Sequence, residues 1–263
     1  MNTGIISSDI FRLFKPISLD SMDEVSLMDR RESKYVIPVK SLPSIIENIR
    51  DSYLVLDIEG QRSFRYNNTY LDTDGLKMYN DHVTGRLKRF KVRYRSYKDT
   101  ETTFLEVKVK SNKGRTLKYR VNHDQSPGKV PGPEAINLIG EKTGIDPMSL
   151  KEVLSCTYNR VTFVGLNTGE RITVDYDIRF SNFDGKSADL SYISVIEVKH
   201  GGKNTTSPMK NILKNNSYHP GGFSKYCIGT FLLNDPVKKN SLKPKILMLN
   251  NLKYAHDNHF VSK

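Results

Sequence analysis

Alternation of charge along one stretch constrains the fold of this chain more than any other feature. Between Arg89 and Arg95 the odd-numbered residues are all arginine or lysine, whereas phenylalanine, valine and tyrosine stand between them. Side chains of a β-strand point alternately to the two faces of a sheet. This period of two therefore predicts a strand with one cationic face and one apolar face.

Two further segments continue the pattern. Segment 104–110 (FLEVKVK) places a glutamate and two lysines opposite leucine and valine, and segment 115–121 (RTLKYRV) alternates again after a predicted turn at 111–114. A polar strand face usually contacts water. Here, however, like charges recur about 7 Å apart along each strand and repel across strands by a few tenths of a kcal/mol per pair, roughly. The pattern therefore indicates a surface that binds an anion.

The composition supports a polyanionic partner. Lysine and arginine number 41 against 29 acidic residues, which gives a net charge of +12. Nucleic acid, an anionic membrane and phosphate chains all fit this charge. Nucleic acid is disfavoured because Phe90, Tyr94 and Tyr97 fall on the apolar or mixed faces rather than beside the cations. Cys156 and Cys227 fit no metal or redox spacing and indicate free thiols in a reducing compartment. With no apolar run long enough for a signal or a membrane span, we expect a cytoplasmic protein.

The rest of the chain predicts an α+β fold built on roughly eight strands. Beyond the cationic segments, the strand signals lie at 30–39, 53–58, 63–73, 157–165, 171–180 and 192–200. The helix signals lie at 41–49, 76–82, 134–152 (two short helices), 209–213 and 223–233, and a loop is predicted at 123–133. Short connections favour antiparallel pairing. Closure into a barrel would turn the charged faces inward around a wet lumen, with helices covering the apolar exterior.

A series of motifs in a characteristic order carries a family resemblance: RRESKY, YLDTD, HVTGRLKRFKVRYRSY, FLEVKVK, GRTLKYR, YNR, RITVD, VIEVK and GFSKYCIG. In these motifs the chain resembles the bacterial VTC domain family, the polyphosphate polymerase branch of the CYTH-like triphosphate tunnel metalloenzymes. The resemblance covers residues 22–233, which leaves an N-terminal extension (1–21) and a basic C-terminal tail (234–263), expected to fray beyond 251. It implies an antiparallel β-barrel tunnel with a basic interior, flanked by helices.

The resemblance also implies a reaction. Family enzymes transfer the γ-phosphoryl group of ATP to a growing inorganic polyphosphate chain and release ADP, with Mn²⁺ or Mg²⁺ as cofactor. The catalytic residues implied are Lys34, Arg93, Arg95, Lys108 and Arg160. The substrate-binding residues implied are Lys91, Lys110, Lys118, Arg120, Tyr158, Arg171, Lys199, Ser224 and Lys225. Glu197 is implied as the metal ligand, with Glu106 as a second or supporting carboxylate. Such a reaction needs alignment and charge neutralisation rather than a protein nucleophile.

Two departures from the family pattern affect this interpretation. The wider superfamily opens its first strand with Glu-x-Glu-x-Lys, but Arg30 replaces the first glutamate here, which weakens a triphosphatase or adenylate cyclase reading. Gly222 stands where a basic residue often precedes the FSK motif. Hydrolysis of triphosphate or polyphosphate in the same tunnel remains an alternative, as does a non-catalytic module for polyphosphate or inositol phosphates. Expected partners are ATP, polyphosphate, pyrophosphate or triphosphate and, by analogy with fungal relatives, a separate membrane protein.

Local context gives the expected roles of four acidic residues and one histidine. Asp175 and Asp177 alternate with apolar residues and are predicted to pair with cations of the tunnel. Asp72 and Asp74 follow a strand, where a turn or capping role is favoured over metal binding. His82 precedes the basic strand and is the histidine for which we most expect a role.

Overall fold

One curved sheet with helices around it forms the molecule. The computed structural model describes residues 8–24, 30–97, 101–112, 115–123, 131–201 and 207–259. Within them the strands are β1 (Pro16–Ile17), β2 (Arg30–Pro38), β3 (Tyr53–Leu56), β4 (Phe64–Asp72), β5 (Arg89–Tyr97), β6 (Thr102–Lys110), β7 (Thr116–Asn122), β8 (Lys151–Gly165), β9 (Arg171–Ser181), β10 (Ser187–Asp189) and β11 (Ile193–Gly201). The α-helices are α1 (Leu19–Glu24), α2 (Leu42–Asn48), α3 (Lys77–Val83), α4 (Pro133–Thr143), α5 (Pro208–Asn215), α6 (Lys225–Leu233) and α7 (Lys243–His259).

Eight strands form the continuous path of the sheet. Their order is β2-β11-β9-β8-β4-β5-β6-β7, and every neighbouring pair on this path is antiparallel. The small strand β1 pairs with β3 in parallel. In the described part of the chain, β2 and β7 end the path without pairing with each other. Nevertheless, side chains from β2, β11 and β7 line the same cavity as those from β5 and β6, because the sheet curls into a tunnel. This confirms the predicted antiparallel barrel-like fold.

The convex face of the sheet is apolar and is covered by helices. On the β2, β9 and β11 side, Ile37, Ile172 and Val198 are fully buried beneath α2 and α5. On the β6 and β7 side, Ala135 and Ile139 of α4 pack against the sheet. Ile172 and Val198 stand at alternate positions that the sequence pattern assigned to the apolar faces of their strands.

Helix α6 lies on the concave side of the sheet, against β4, β8 and β9. Tyr70 lines the cavity, and its ring stacks on that of Tyr226 at a centroid distance of 5.0 Å. A Cβ on Gly229 would lie 2.6 Å from Leu154 and 2.7 Å from Phe180, so the helix backbone touches the sheet directly. The sequence pattern had placed all helices on the exterior, which is wrong for α6. Its residues are buried on every side, so they carry no signal of which face they contact.

Two more regions differ from the prediction. The second short helix expected before residue 152 is only a 3-10 turn (Pro147–Ser149), because β8 already begins at Lys151. Residues 251–259 of the segment expected to fray belong to α7, whose Leu249 is 2% exposed, and residues 260–263 lie outside the described residues. Residues 113–114 of the predicted turn and 124–130 of the predicted loop lie outside the described residues. Among the described helices, none is both long enough and apolar enough to cross a membrane.

Candidate functional site

The concave face encloses two connected chambers. The inner chamber (about 210 Å³) is lined from β2, β4, β5, β6, β7, β8, β11 and the start of α6. The outer chamber (about 720 Å³) is lined by the outer ends of β2, β5 and β6, by the start of β7, and by residues of α3, α6, α7 and the segment before α7. Lys34, Lys91, Lys108 and Ser224 border both chambers, which therefore form one continuous cationic passage.

Two arginines of β5 share one carboxylate in the inner chamber. Arg93 donates from Nε and Nη2 to Glu106 Oε2 at 2.9 and 2.6 Å, and Nη1 of Arg95 lies 3.4 Å from Oε1. Asn68 accepts a further hydrogen bond from Arg95 Nε at 3.1 Å. These contacts hold both guanidinium planes and leave other N–H groups for a ligand, since arginine carries five.

A second carboxylate is buried between two cations. Asp175 is 3% exposed and accepts from Arg160 at 2.6 and 2.8 Å and also from Lys225. Both cations stack on Tyr158, with the guanidinium carbon of Arg160 5.3 Å and Lys225 Nζ 4.3 Å from the ring centroid. Burial opposes ionisation, yet Arg160 and Lys225 hold the pKa of Asp175 below its ordinary value. The predicted pairing of Asp175 with cations of the tunnel is therefore confirmed.

The pairing predicted for Asp177 is wrong. Thr157 pairs with Arg179 and Asn159 pairs with Tyr176, so β9 carries one extra residue at this point. Asp177 lies in this bulge with a φ of 53° and pairs with the exposed Arg179 at 2.8 Å. A bulge reverses which face the following residues occupy, and alternation alone does not reveal it.

A third cluster lies where β2 meets β11. Lys34 contacts Glu32 and lies 2.9 Å from Glu197, while Lys199 lies 2.6 Å from the other oxygen of Glu197. Burial alone would raise the pKa of Glu197, but Lys199 and Lys34 hold it well below the ordinary value. Glu197 is therefore ionised at neutral pH and is a poor base.

Several lysines in the passage form no ion pair with any described carboxylate. They are Lys91, Lys108, Lys110, Lys118 and, in α7, Lys245. Lys91 only donates a hydrogen bond to Ser224 Oγ at 3.0 Å. Burial lowers its pKa to about 8, and the positive charges of Lys108, Arg93 and Lys34 contribute. Burial likewise lowers the pKa of Lys108. Cations that repel one another in this way favour an anionic ligand.

His82 orients a cation at the outer chamber. Its Nδ1 accepts from Arg89 Nε at 3.1 Å, and Nε2 lies 3.2 Å from the carbonyl oxygen of Phe90, to which it can donate. Burial, followed by the charges of Lys91 and Arg89, holds its pKa well below the ordinary value. His82 is therefore neutral at physiological pH and positions Arg89.

The structure brings nearly all of the predicted site residues together. Two of them, Arg120 and Arg171, line neither chamber. Arg120 lies on the edge strand β7, with its guanidinium carbon 4.9 Å from the centre of the Phe104 ring. Arg171 Nη2 donates a hydrogen bond to the carbonyl oxygen of Met22 at 2.9 Å.

Sequence reasoning had not assigned Glu32, Tyr70 and Arg89 to the site. Glu32 could have been found, because it precedes Lys34 by two residues on the same strand face. Asp72 caps α3 through Met78 and Tyr79, as expected from its context.

The described carboxylates can supply some of the ligands of a metal ion, but not a complete set. Among the described residues, no three His, Cys, Asp or Glu side chains cluster as a metal cage. Glu32 and Glu197 do converge, since both contact Lys34. Mg²⁺ is usually bound by one or two carboxylates and takes its other oxygens from water and substrate phosphates. These two carboxylates therefore fit an ion whose remaining ligands would be water and phosphate oxygens of the substrate.

The low pKa of Lys91 predicts how stability depends on pH. Unfolded chains keep a lysine proton until about pH 10.4, whereas folded Lys91 loses it near pH 8. The unfolded state binds more protons between these values, so stability contributed by this group rises with pH. Between pH 7.5 and 9.5, urea unfolding should show a larger rise for the wild type than for Lys91→Met, by about 1 to 2 kcal/mol. Lys253→Met, on the exposed side of α7, should follow the wild type, and parallel wild-type and Lys91→Met curves would contradict the assignment.

Fold and charge together define an antiparallel β-tunnel protein with a cationic interior. The VTC domain family model matches residues 29–130 and 139–234, and the chain belongs to the VTC domain family. A search of curated proteins finds no match.

Two solved structures are similar to this chain, and the first of them supports the fold. A Bacillus halodurans protein with a provisional assignment as an adenylate cyclase has 16% sequence identity and a TM-score of 0.50, over 75% of this chain and 96% of that one. A Hippeastrum protein, provisionally an adenylyl cyclase and described as having a dominant triphosphatase activity, has 14% identity and a TM-score of 0.47, over 76% and 94%.

Proposed function

We propose that this protein is an ATP–polyphosphate phosphotransferase. It transfers the γ-phosphoryl group of ATP to the end of an inorganic polyphosphate chain and releases ADP. The bond between the γ-phosphorus and the β–γ bridging oxygen breaks, and a terminal oxygen of the polyphosphate forms the new bond to the γ-phosphorus. Family membership and the continuous cationic passage support this assignment.

The ion pairs formed by the carboxylates favour phosphoryl transfer to phosphate over hydrolysis by water. Every carboxylate that lines or borders the inner chamber contacts a cation: Glu32, Glu106, Asp175 and Glu197. Water must lose a proton to attack phosphorus, which calls for a base near neutral pKa. A terminal phosphate oxygen is already ionised and needs no base. A site of unpaired lysines and fully paired carboxylates therefore suits a phosphate acceptor.

The arginines and lysines have complementary roles in this reaction. Arg93, Arg95 and Arg160 are held by Glu106 and Asp175, so their remaining N–H groups are oriented before the substrate binds. Preorganised donors neutralise the charge that develops during transfer without having to reorient. Lys91, Lys108 and Lys118 supply charge where the polyphosphate lies. We propose that Glu106 acts through the two arginines rather than on a metal.

A divalent ion would be held by Glu197 with Glu32. An Mg²⁺ or Mn²⁺ ion held there would supply positive charge to neutralise the phosphates. Lys34 and Lys199 fix the carboxylate of Glu197, which keeps its orientation constant as substrate arrives.

Purified protein with ATP and Mn²⁺ or Mg²⁺ tests the proposal. We expect ADP and long phosphate chains, detected by gel electrophoresis, in proportion to one another. Free phosphate without chains would identify a hydrolase instead. Tight polyphosphate binding with neither product would identify a binding module.

A further inference from the structure

A lysine from beyond the matched family domain contributes to the outer chamber. The family match ends at residue 234, whereas Lys245 lies in α7 and lines the chamber. Its Nζ is 3.1 Å from the position that a Cβ on Gly222 would occupy. The side chain is half-buried and forms no ion pair with a described carboxylate. An ammonium group thus lies in the chamber wall without an ion pair to any described carboxylate.

The segment that carries Lys245 is fixed to the domain. Ser241 Oγ donates to the carbonyl of Val83 at 2.9 Å, and the hydroxyl of Tyr79 donates to the carbonyl of Lys238 at 2.9 Å. Leu242 and Leu249 are buried in the hydrophobic cluster that also contains Tyr70 and Tyr226. Lys245 is therefore presented by an ordered element, so little entropy is lost when a ligand engages it.

The charges around Lys245 identify the kind of ligand. Cations lining the outer chamber are Lys34, Arg89, Lys91, Lys108, Lys110 and Lys245. Among the described lining residues, Glu32 is the one carboxylate, and it already contacts Lys34. Adding a further cation to such a group is unfavourable unless an anion with several charges binds there.

Gly222 leaves the space that the ammonium group uses. Its backbone has no positive φ, so the backbone conformation does not demand glycine here. Within the described part of the chain, Lys245 Nζ is the one atom that a methyl group on Gly222 would meet within 4 Å. A side chain at this position would compete with Lys245 for the same part of the wall.

We propose that Lys245 is a polyphosphate-binding residue at the outer chamber, and that Gly222 is small because Lys245 occupies its place. The proposal rests on polyphosphate being the ligand, as in the proposed function. It makes the C-terminal helix part of the binding site, although the family domain ends before it.

Binding of long-chain inorganic polyphosphate, measured by calorimetry without ATP or metal, tests this directly. Lys245→Ala should weaken binding about tenfold, the lower range for a hydrogen bond to a charged group. Lys253→Ala removes an exposed lysine from the same helix and should change affinity less than about twofold. The double variant Lys245→Ala with Gly222→Lys should recover most of the affinity, because it returns a cation to the same chamber wall.

The outcomes separate this proposal from the proposed function. Equal affinities of Lys245→Ala and Lys253→Ala, with thermal unfolding unchanged, would overturn the role of Lys245 while polyphosphate binding itself stood. A folded double variant that fails to recover would overturn the link to Gly222. Wild-type protein without any polyphosphate affinity would overturn both proposals.

Discussion

Alanine in place of Arg93 is expected to lower the rate of polyphosphate synthesis by about a hundred- to a thousandfold, as loss of one preorganised donor does elsewhere. Arg93 lies at the centre of β5, and Glu106 and Tyr70 hold its guanidinium group. Three of its five N–H groups point to these partners, which leaves two for phosphate. The rate of ADP release at saturating ATP measures the effect.

Arg179→Ala is the matched control for this experiment. Arg179 lies on β9, is half exposed (51%), pairs with Asp177 and lines neither chamber. Its loss should leave the rate of ADP release within about twofold of the wild type, since exposed ion pairs contribute little. Equal rates for Arg93→Ala and the wild type, with circular dichroism unchanged, would place the reaction elsewhere.

Asp175→Asn is expected to lower the free energy of unfolding by about 3 to 5 kcal/mol, because it leaves two buried cations without their carboxylate. For a domain of this size that corresponds to a fall in Tm of roughly 10 °C. The side chain of Asp175 is 4% exposed and contacts both Arg160 and Lys225, so water cannot replace it easily. Urea titration and differential scanning fluorimetry measure the loss.

Added polyphosphate should restore more stability to Asp175→Asn than it adds to the wild type. A phosphate group would supply the negative charge that the carboxylate provided, and a ligand that binds only the folded state stabilises it. Asp51→Asn removes an exposed carboxylate that pairs with Arg50, and should change stability by less than about 0.5 kcal/mol. Similar losses of unfolding free energy in Asp175→Asn and Asp51→Asn would contradict this account of Asp175. So would a stability of Asp175→Asn that does not rise when polyphosphate is added.

Which side chains point into the tunnel was predictable from the sequence, because alternation along a single strand decides the face of each residue. Alternation assigned Lys34, Arg93 and Lys108 to one face without knowledge of the strand order, and all three line the inner chamber. The same rule put Arg160 and Asp175 on the polar faces of their strands, and the structure pairs them across β8 and β9. Strand periodicity therefore carries most of the information about this site.

The remaining features depend on contacts that no local pattern encodes. The extra residue of β9 at Asp177 arises from its pairing with β8, so alternation failed there. Helix α6 is apolar on all sides, and α7 is so polar that it resembled a tail; only tertiary packing shows which surfaces they cover. Lys245 was missed for the same reason, since its closeness to Gly222 joins positions far apart in sequence.

The lysines without ion pairs affect how easily a chain of identical phosphate units moves along the passage. Lys108 and Lys110 lie about 7 Å apart along β6, and Lys91 and Lys118 stand opposite Lys108 on the neighbouring strands. No described carboxylate ties any one of these lysines to a single geometry. A polymer of identical phosphate units therefore meets nearly the same binding energy at successive positions. Moving the chain by one unit should cost little, so synthesis could proceed through many additions before the product dissociates.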